Sequence, residues 1–126
     1  MLTRILLILL SFFVLWPASA SDPAWIARAA DGTVQIRLYY FWSAACPHCI
    51  EARPHVEALP QRHAWIALES RELSRSADNA RMYQELVQRL GQEAAVPAFL
   101  FCGELRVGWE SPETTGADLE RALEAC

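Results

Sequence analysis

Two cysteines spaced Cys-x-x-Cys stand just after the strongest strand signal in the chain. Residues Val34–Trp42 read VQIRLYYFW, a β-branched and aromatic run that predicts a strand covered on both faces, as in a parallel sheet. The segment Cys46–His63 has the apolar spacing of a helix, and Pro47 is acceptable in its first turn. The cysteine pair is therefore expected where a buried strand passes into a helix.

That placement suits thiol–disulfide exchange. The reaction needs a thiolate, and a helix N-terminus offers partial positive charge and unpaired N–H groups to stabilise one. Two intervening residues let the second thiol reach back and resolve a mixed disulfide. We expect Cys46 to be the exposed nucleophile and Cys49 the more buried resolving thiol, with Pro47 and His48 tuning the thiolate.

The rest of the chain alternates between strand and helix patterns. Further strands are predicted at 64–68, 98–102 and 105–109, and further helices at 77–90 and from 114 or 115 onward. Pro54 lies inside the first helix and should kink it. A parallel strand pair joined by a helix and followed by a hairpin makes an α/β layer fold.

The N-terminal residues have the layout of a secretory signal. A basic residue precedes the apolar run Ile5–Trp16, and Ala18-Ser19-Ala20 supplies the small residues at which a signal peptidase cuts. A membrane anchor is the rival interpretation, but a spanning helix needs about 20 apolar residues. We predict a signal peptide at 1–20, an N-terminal extension with one or two helical turns at 21–33, and one domain at 34–126.

The charge and composition of the chain indicate which classes of binding partner the sequence supports. The chain has 11 basic and 15 acidic residues and a net charge of −4, and its basic residues are arginines spread along the sequence. No basic stripe with interleaved aromatic residues is present, so the sequence gives no support to nucleic-acid binding.

The residues around the cysteines resemble those of a known family. Phe41–Cys49 (FWSAACPHC) looks like the active-site stretch of the thioredoxin superfamily, and its Pro-His dipeptide is typical of DsbA-type periplasmic oxidases. Pro54 matches the kinking proline of the active-site helix, and Val96–Phe101 resembles the cis-proline loop and its following strand. The resemblance implies a thioredoxin-like α/β fold, a four-stranded mixed sheet in the order 2-1-3-4 with helices on both faces.

The resemblance also implies roles for single residues. Pro97 would be cis and pack beside the cysteines, the backbone of Val96 would pair with an extended substrate peptide, and Trp42 would line the substrate groove as well as the core. An ordinary strand-leading proline is the alternative for Pro97, because cis bonds are a small minority of X-Pro bonds.

One position departs from the family pattern. Many members carry a buried acidic residue six positions before the first cysteine, as a proton acceptor for the resolving thiol, and this chain has Tyr40 there. Either another group moves the proton through water or resolution is slower. Glu51 and Glu57 lie on the following helix, but nothing in the sequence directs them toward Cys49.

Two further cysteines, Cys102 and Cys126, complete a set of four, which permits three pairings. Sequence proximity favours Cys46–Cys49 together with Cys102–Cys126. We expect the second pair to be a structural disulfide that fastens the C-terminus to the sheet.

The resemblance implies a periplasmic thiol–disulfide oxidoreductase that acts on exported proteins, with the oxidising direction favoured. It implies no cofactor and no metal, and its partners would be substrate polypeptides and a membrane redox protein that resets the pair. Two alternatives stay open. One is a reductase fed by a membrane electron carrier, and the other is a non-catalytic copper or zinc module using Cys46, Cys49 and His48.

Overall fold

The computed structural model describes residues 25–126, so the predicted signal peptide at 1–20 and residues 21–24 of the extension lie outside the described residues. The described elements are β1 Ile26–Arg28, β2 Val34–Trp42, α1 Pro47–Glu57, α2 Leu59–Arg62, β3 Ile66–Glu72, α3 Ala77–Arg89, β4 Ala98–Phe101, β5 Glu104–Val107 and α4 Ala117–Ala125, with one π-helical turn at Pro112–Gly116.

Strand β2 is the centre of the sheet. It pairs in parallel with β3, from Ile36 opposite Ile66 to Trp42 opposite Glu72. On its other edge, β2 pairs antiparallel with β4, which in turn pairs antiparallel with β5. The order β3-β2-β4-β5 is the predicted order 2-1-3-4.

The prediction of helical turns at 21–33 was wrong for the described part of that segment. Strand β1 pairs antiparallel with the start of β2. Gly32 has a φ of 88°, and the Thr33 N–H donates to the Asp31 carboxylate at 2.9 Å, so this turn folds the chain back into a hairpin. Asp31-Gly32 is a dipeptide that favours a turn, and this turn, rather than a helix, determines how the segment folds.

Successive residues of β2 face opposite layers, as the two-residue period of a strand requires. Leu38 and Tyr40 belong to one buried cluster with residues of α1, α2 and α4, whereas Tyr39 and Phe41 belong to another with residues of α3. Each of these four β2 side chains is at most 7% exposed. The helices therefore cover both faces of the sheet, as predicted.

Two element boundaries near the cysteines differ from the sequence prediction. The helix predicted at 46–63 is divided into α1 and α2 at Ala58, and Pro54 lies inside α1. Strand β3 begins at Ile66 and runs to Glu72, beyond the predicted end at 68. Its polar second half stays in the sheet because its backbone pairs with β2 as far as Trp42. This extension brings Glu72 beside the chain that leads to Cys46.

Candidate active site

Cys46 occupies the N-cap of α1. It has extended backbone angles, φ −99° and ψ 112°, and its Sγ accepts the Cys49 N–H at 3.3 Å. Pro47 is the first helical residue, where its missing N–H costs nothing. The sulfur of Cys46 thus takes the position in which a capping oxygen normally accepts the first N–H groups of a helix.

Cys46 and Cys49 form a disulfide with a Cα–Cα distance of 5.2 Å. The two cysteines differ in accessibility, because Cys46 is half-buried whereas Cys49 is fully buried. An attacking thiolate from another protein can therefore reach Cys46 and not Cys49. This asymmetry divides the roles of nucleophile and resolving thiol.

The loop before β4 faces the disulfide. The Val96–Pro97 peptide bond is cis, and the carbonyl oxygen of Val96 lies 3.8 Å from Cys46 Sγ. Pro97 is buried and Val96 is half-buried. Tyr83 of α3 holds the loop from behind, because its hydroxyl donates to the Ala95 carbonyl at 2.6 Å.

A groove of about 300 Å³ adjoins this loop. Its lining residues are Ser43, Leu73, Ser74, Ala80, Tyr83, Gln84, Ala94, Ala95 and Val96. The wall is mostly apolar and includes Val96, whose carbonyl faces Cys46, so the groove lies beside the loop that faces the disulfide.

Trp42 does not belong to the lining of that groove. It packs against the cluster of α1 and α4, its indole N–H donates to Ser70 Oγ at 2.9 Å, and the Arg53 guanidinium lies 4.2 Å from its ring centroid. The contacts of Trp42 are therefore those of a packing residue. Its role in substrate binding stays a prediction.

His48 is exposed beside the cysteine pair. Its Nδ1 lies 3.6 Å from the Glu51 carboxylate, and the two side chains are 68% and 61% exposed. Water screens such a pair strongly, so the contact is weak. Glu51 nevertheless places a negative charge next to the imidazole that was predicted to favour the Cys46 thiolate.

Tyr40 lies on the buried side of the pair. Its hydroxyl donates to the Cys49 carbonyl at 2.7 Å, and burial raises the pKa of the phenol above its ordinary value of 10.0. No charged side chain within residues 25–126 is fully buried. Glu57 pairs with Arg53 at 2.9 Å and Glu51 faces His48, so neither carboxylate is committed to Cys49.

Glu72 is a residue of the site that the sequence analysis missed. Its carboxylate accepts hydrogen bonds from the Ser74 hydroxyl and from the backbone N–H groups of Ala44, Ser74 and Arg75. The hydrogen bond from Ser74, followed by those from the backbone of Ala44 and Arg75, lowers the pKa of Glu72 to about 2. The role of Glu72 depends on the parallel register of β2 and β3, which places Glu72 opposite Trp42, and the sequence alone does not show this register.

Cys102 and Cys126 are also paired, with a Cα–Cα distance of 6.3 Å. Cys102 has a φ of 46° and forms the tight β4–β5 turn with Gly103, while Cys126 follows α4, and both cysteines are exposed. Pro97 precedes β4 and Cys102 follows it, so this disulfide lies at the end of the strand remote from Cys46. At about 3.3 Å per residue, the four residues of β4 alone separate Pro97 from Cys102 by about 13 Å.

Two further observations concern metals and membranes. In the part of the chain that the structure describes, no group of three or more His, Cys, Asp or Glu side chains is arranged to hold a metal ion. Across residues 25–126, no helix has the length and apolar character needed to cross a membrane.

Comparison with known proteins finds a likeness at the level of structure. No protein-family model and no curated protein sequence matches the chain. A solved structure described as "MTB dsbF in its mixed oxidized and reduced forms" is similar, with 18% sequence identity and a TM-score of 0.45, over 79% of this chain and 92% of that one. The chain's own topology, with a Cys-x-x-Cys pair at the N-terminus of α1 and a facing cis-proline loop, is a thioredoxin-like fold.

Proposed function

We propose that this chain is a thiol–disulfide oxidoreductase that exchanges disulfides with exported proteins through Cys46 and Cys49. The observation that carries the proposal is the asymmetry of the pair. A half-buried Cys46 caps a helix and is bonded to a fully buried Cys49. A helix N-terminus stabilises a thiolate, so Cys46 is built to be both an accessible target and a good leaving group.

In the oxidising direction, a substrate thiolate attacks Cys46 Sγ and the Cys46–Cys49 bond breaks. Its electron pair goes to Cys49, which takes up a proton. A second substrate thiolate then attacks the substrate sulfur of the mixed disulfide and releases Cys46 as a thiolate. The substrate dithiol is oxidised to a disulfide, and the enzyme disulfide is reduced to a dithiol.

Substrate would bind along the Val96–Pro97 loop. The Val96 carbonyl lies 3.8 Å from Cys46 Sγ and belongs to the wall of the apolar groove. A peptide extended along this backbone would bring its own cysteine to Cys46 and place neighbouring side chains in the groove. Main-chain pairing of this kind gives affinity with little demand on sequence.

We assign the oxidising direction and an exported location. Two observations support the exported location. One is the signal-like pattern at 1–20, which lies outside the described residues, and the other is the presence of two disulfides, which persist in oxidising compartments. Stabilisation of the Cys46 thiolate favours the reduced pair and so makes the disulfide a better oxidant. A membrane redox protein that accepts electrons from the reduced pair would complete the cycle.

The proposal is tested by turnover and by trapping. Oxidised protein should convert a dithiol peptide to its disulfide, with glutathione disulfide as the final oxidant. Reduced Cys49→Ser should form a lasting mixed disulfide with a disulfide peptide at Cys46, whereas Cys46→Ser should form none because Cys49 is buried. Both variants are made in a Cys102→Ser/Cys126→Ser background, and a mixed disulfide at Cys49 would contradict the assignment.

A further inference from the structure

The turn Ser43–Ala45 connects β2 to Cys46, and its backbone N–H groups have different acceptors. The Cys46 N–H donates to the Ser43 carbonyl at 3.0 Å, and the Ala45 N–H donates to Ser43 Oγ at 3.2 Å. The Ala44 N–H donates instead to Glu72 Oε1 at 3.0 Å. Of these three hydrogen bonds, the one from Ala44 connects the turn to a distant part of the chain.

The other contacts of Glu72 fix the turn that follows β3. Glu72 Oε1 also accepts the Ser74 N–H at 3.1 Å and the Ser74 hydroxyl, and Oε2 accepts the Arg75 N–H at 2.7 Å. The Glu72 carbonyl accepts Asn79 Nδ2 at 3.0 Å, which extends the connection into α3. One carboxylate thus joins the turn before the nucleophile to the turn before α3.

We propose that Glu72 is a positioning residue for disulfide exchange at Cys46, an inference that rests on the proposed function. By holding Ala44, it fixes the turn that places Cys46 at the N-cap of α1. By holding Ser74, it fixes one wall of the groove beside Val96, since Ser43 and Ser74 both line that groove. The Glu72 side chain therefore positions both the Cys46 thiolate and the surface on which substrate binds.

The position of the Glu72 carboxylate and its charge have opposite effects on Cys46. A negative charge near the sulfur disfavours the thiolate, so removing the charge alone would lower the pKa of reduced Cys46. Loss of the hydrogen bonds loosens the turn and weakens the hold of the helix N-terminus on the thiolate, which raises that pKa. Because the signs differ, experiment can separate the two.

Two substitutions at Glu72 make this separation. Glu72→Gln removes the charge and part of the accepting capacity, while Glu72→Asp keeps the charge and shortens the side chain. Both should raise the midpoint pH for alkylation of reduced Cys46. The rate of alkylation at about pH 6 should then fall by roughly three- to tenfold, because the thiolate is the reactive form and less of it is present. Both should raise KM for the dithiol peptide by a larger factor than they lower kcat.

Two further variants complete the design. Ser74→Ala keeps the carboxylate and removes one donor, so it should shift alkylation and KM in the same direction by less, and it carries the test if a Glu72 variant does not fold. Glu69→Gln is the matched control, because Glu69 lies on the same strand and pairs with Arg71 at 2.9 Å. It should leave the alkylation profile and KM unchanged.

Three outcomes would overturn the proposal. A lower melting temperature with unchanged alkylation and KM in both Glu72 variants would leave a structural role only. A lower midpoint in Glu72→Gln, with wild-type behaviour in Glu72→Asp, would make the effect one of charge. A shift of equal size in Glu69→Gln would remove its specificity. If wild-type protein oxidises no peptide while the alkylation shifts appear, the proposed function fails and the positioning of Cys46 stands.

Discussion

The Tyr40 hydroxyl donates a 2.7 Å hydrogen bond to the backbone carbonyl of Cys49, and both residues are fully buried. Burial raises the pKa of Tyr40, so the phenol stays neutral and protonated through the physiological range. The residue that stands where the family pattern has an acid is therefore a hydrogen-bond donor that holds the backbone of the resolving cysteine. It cannot accept a proton from the Cys49 thiol while it keeps its own.

Tyr40→Phe removes this hydrogen bond with little change of shape. We expect a loss of about 1 kcal/mol in the free energy of unfolding of the oxidised protein, the usual net value of one hydrogen bond. Denaturant unfolding measures it. Tyr39→Phe is the matched control, because Tyr39 is 7% exposed, lies on the opposite face of the sheet and packs in the cluster of α3. Equal losses in the two variants would refute a specific role for the Tyr40 hydroxyl.

His48 and Glu51 should act on Cys46 with opposite signs. Reduced Cys46 is expected to ionise well below the ordinary thiol pKa of about 8.5, because a helix N-terminus and a nearby cation favour the thiolate. His48→Ala should raise the midpoint of Cys46 alkylation, and Glu51→Gln should lower it slightly. Alkylation rates followed across pH by mass spectrometry measure both, and a midpoint that ignores His48 would contradict its tuning role.

The Cys102–Cys126 disulfide should affect stability and not turnover. It closes a loop of sequence separation 24, for which loop entropy gives about 3.5 kcal/mol. The Cys102→Ser/Cys126→Ser variant should therefore unfold at lower denaturant concentration while it oxidises dithiol peptide at the wild-type rate, because the bond lies at the far end of β4 from Cys46. Loss of turnover with unchanged stability would make the second pair a relay.

Glu120 of α4 joins three side chains that lie on or next to α1 and α2. Its carboxylate lies 2.6 Å from Arg62 Nη2, 2.8 Å from His63 Nε2 and 3.0 Å from His55 Nε2. Burial, followed by the charge of Arg62, lowers the pKa of His55 below its ordinary 6.5. Burial alone would raise the pKa of Glu120, but the hydrogen bond with His63 and the charge of Arg62 lower it below 4.5.

Both shifts make the protein less stable in acid. The unfolded chain binds each proton more readily than the folded protein, so stability falls below about pH 6.5 for His55 and below about pH 4.5 for Glu120. Glu120→Gln should cost about 1 kcal/mol near neutral pH and flatten the decline below 4.5. Melting temperature against pH measures this. Glu124→Gln, an exposed neighbour on α4, should keep the wild-type curve, and an identical curve in Glu120→Gln would contradict the account.

The sequence predicted both buried faces of the sheet from the apolar run of β2, which is a local pattern, whereas the resemblance to a known family supplied the sheet order. It did not predict β1, because a strand of three residues leaves too short a pattern and is held by its pairing with β2. It also missed Glu72 and Glu120, whose roles depend on neighbours more than 25 residues away in the chain. Polar side chains that pair over a long distance in the chain produce no periodic pattern that a single sequence could reveal.

The most direct test of the central claim is the redox equilibrium of each cysteine pair against glutathione buffers, followed by trapping and mass mapping. The account predicts that Cys46 and Cys49 interconvert together, at a potential well above the value of about −270 mV that is typical of thioredoxin, while Cys102–Cys126 stays oxidised. A potential at or below that value would overturn the oxidising direction, and a Cys46–Cys49 bond that never exchanges would contradict the proposed function itself.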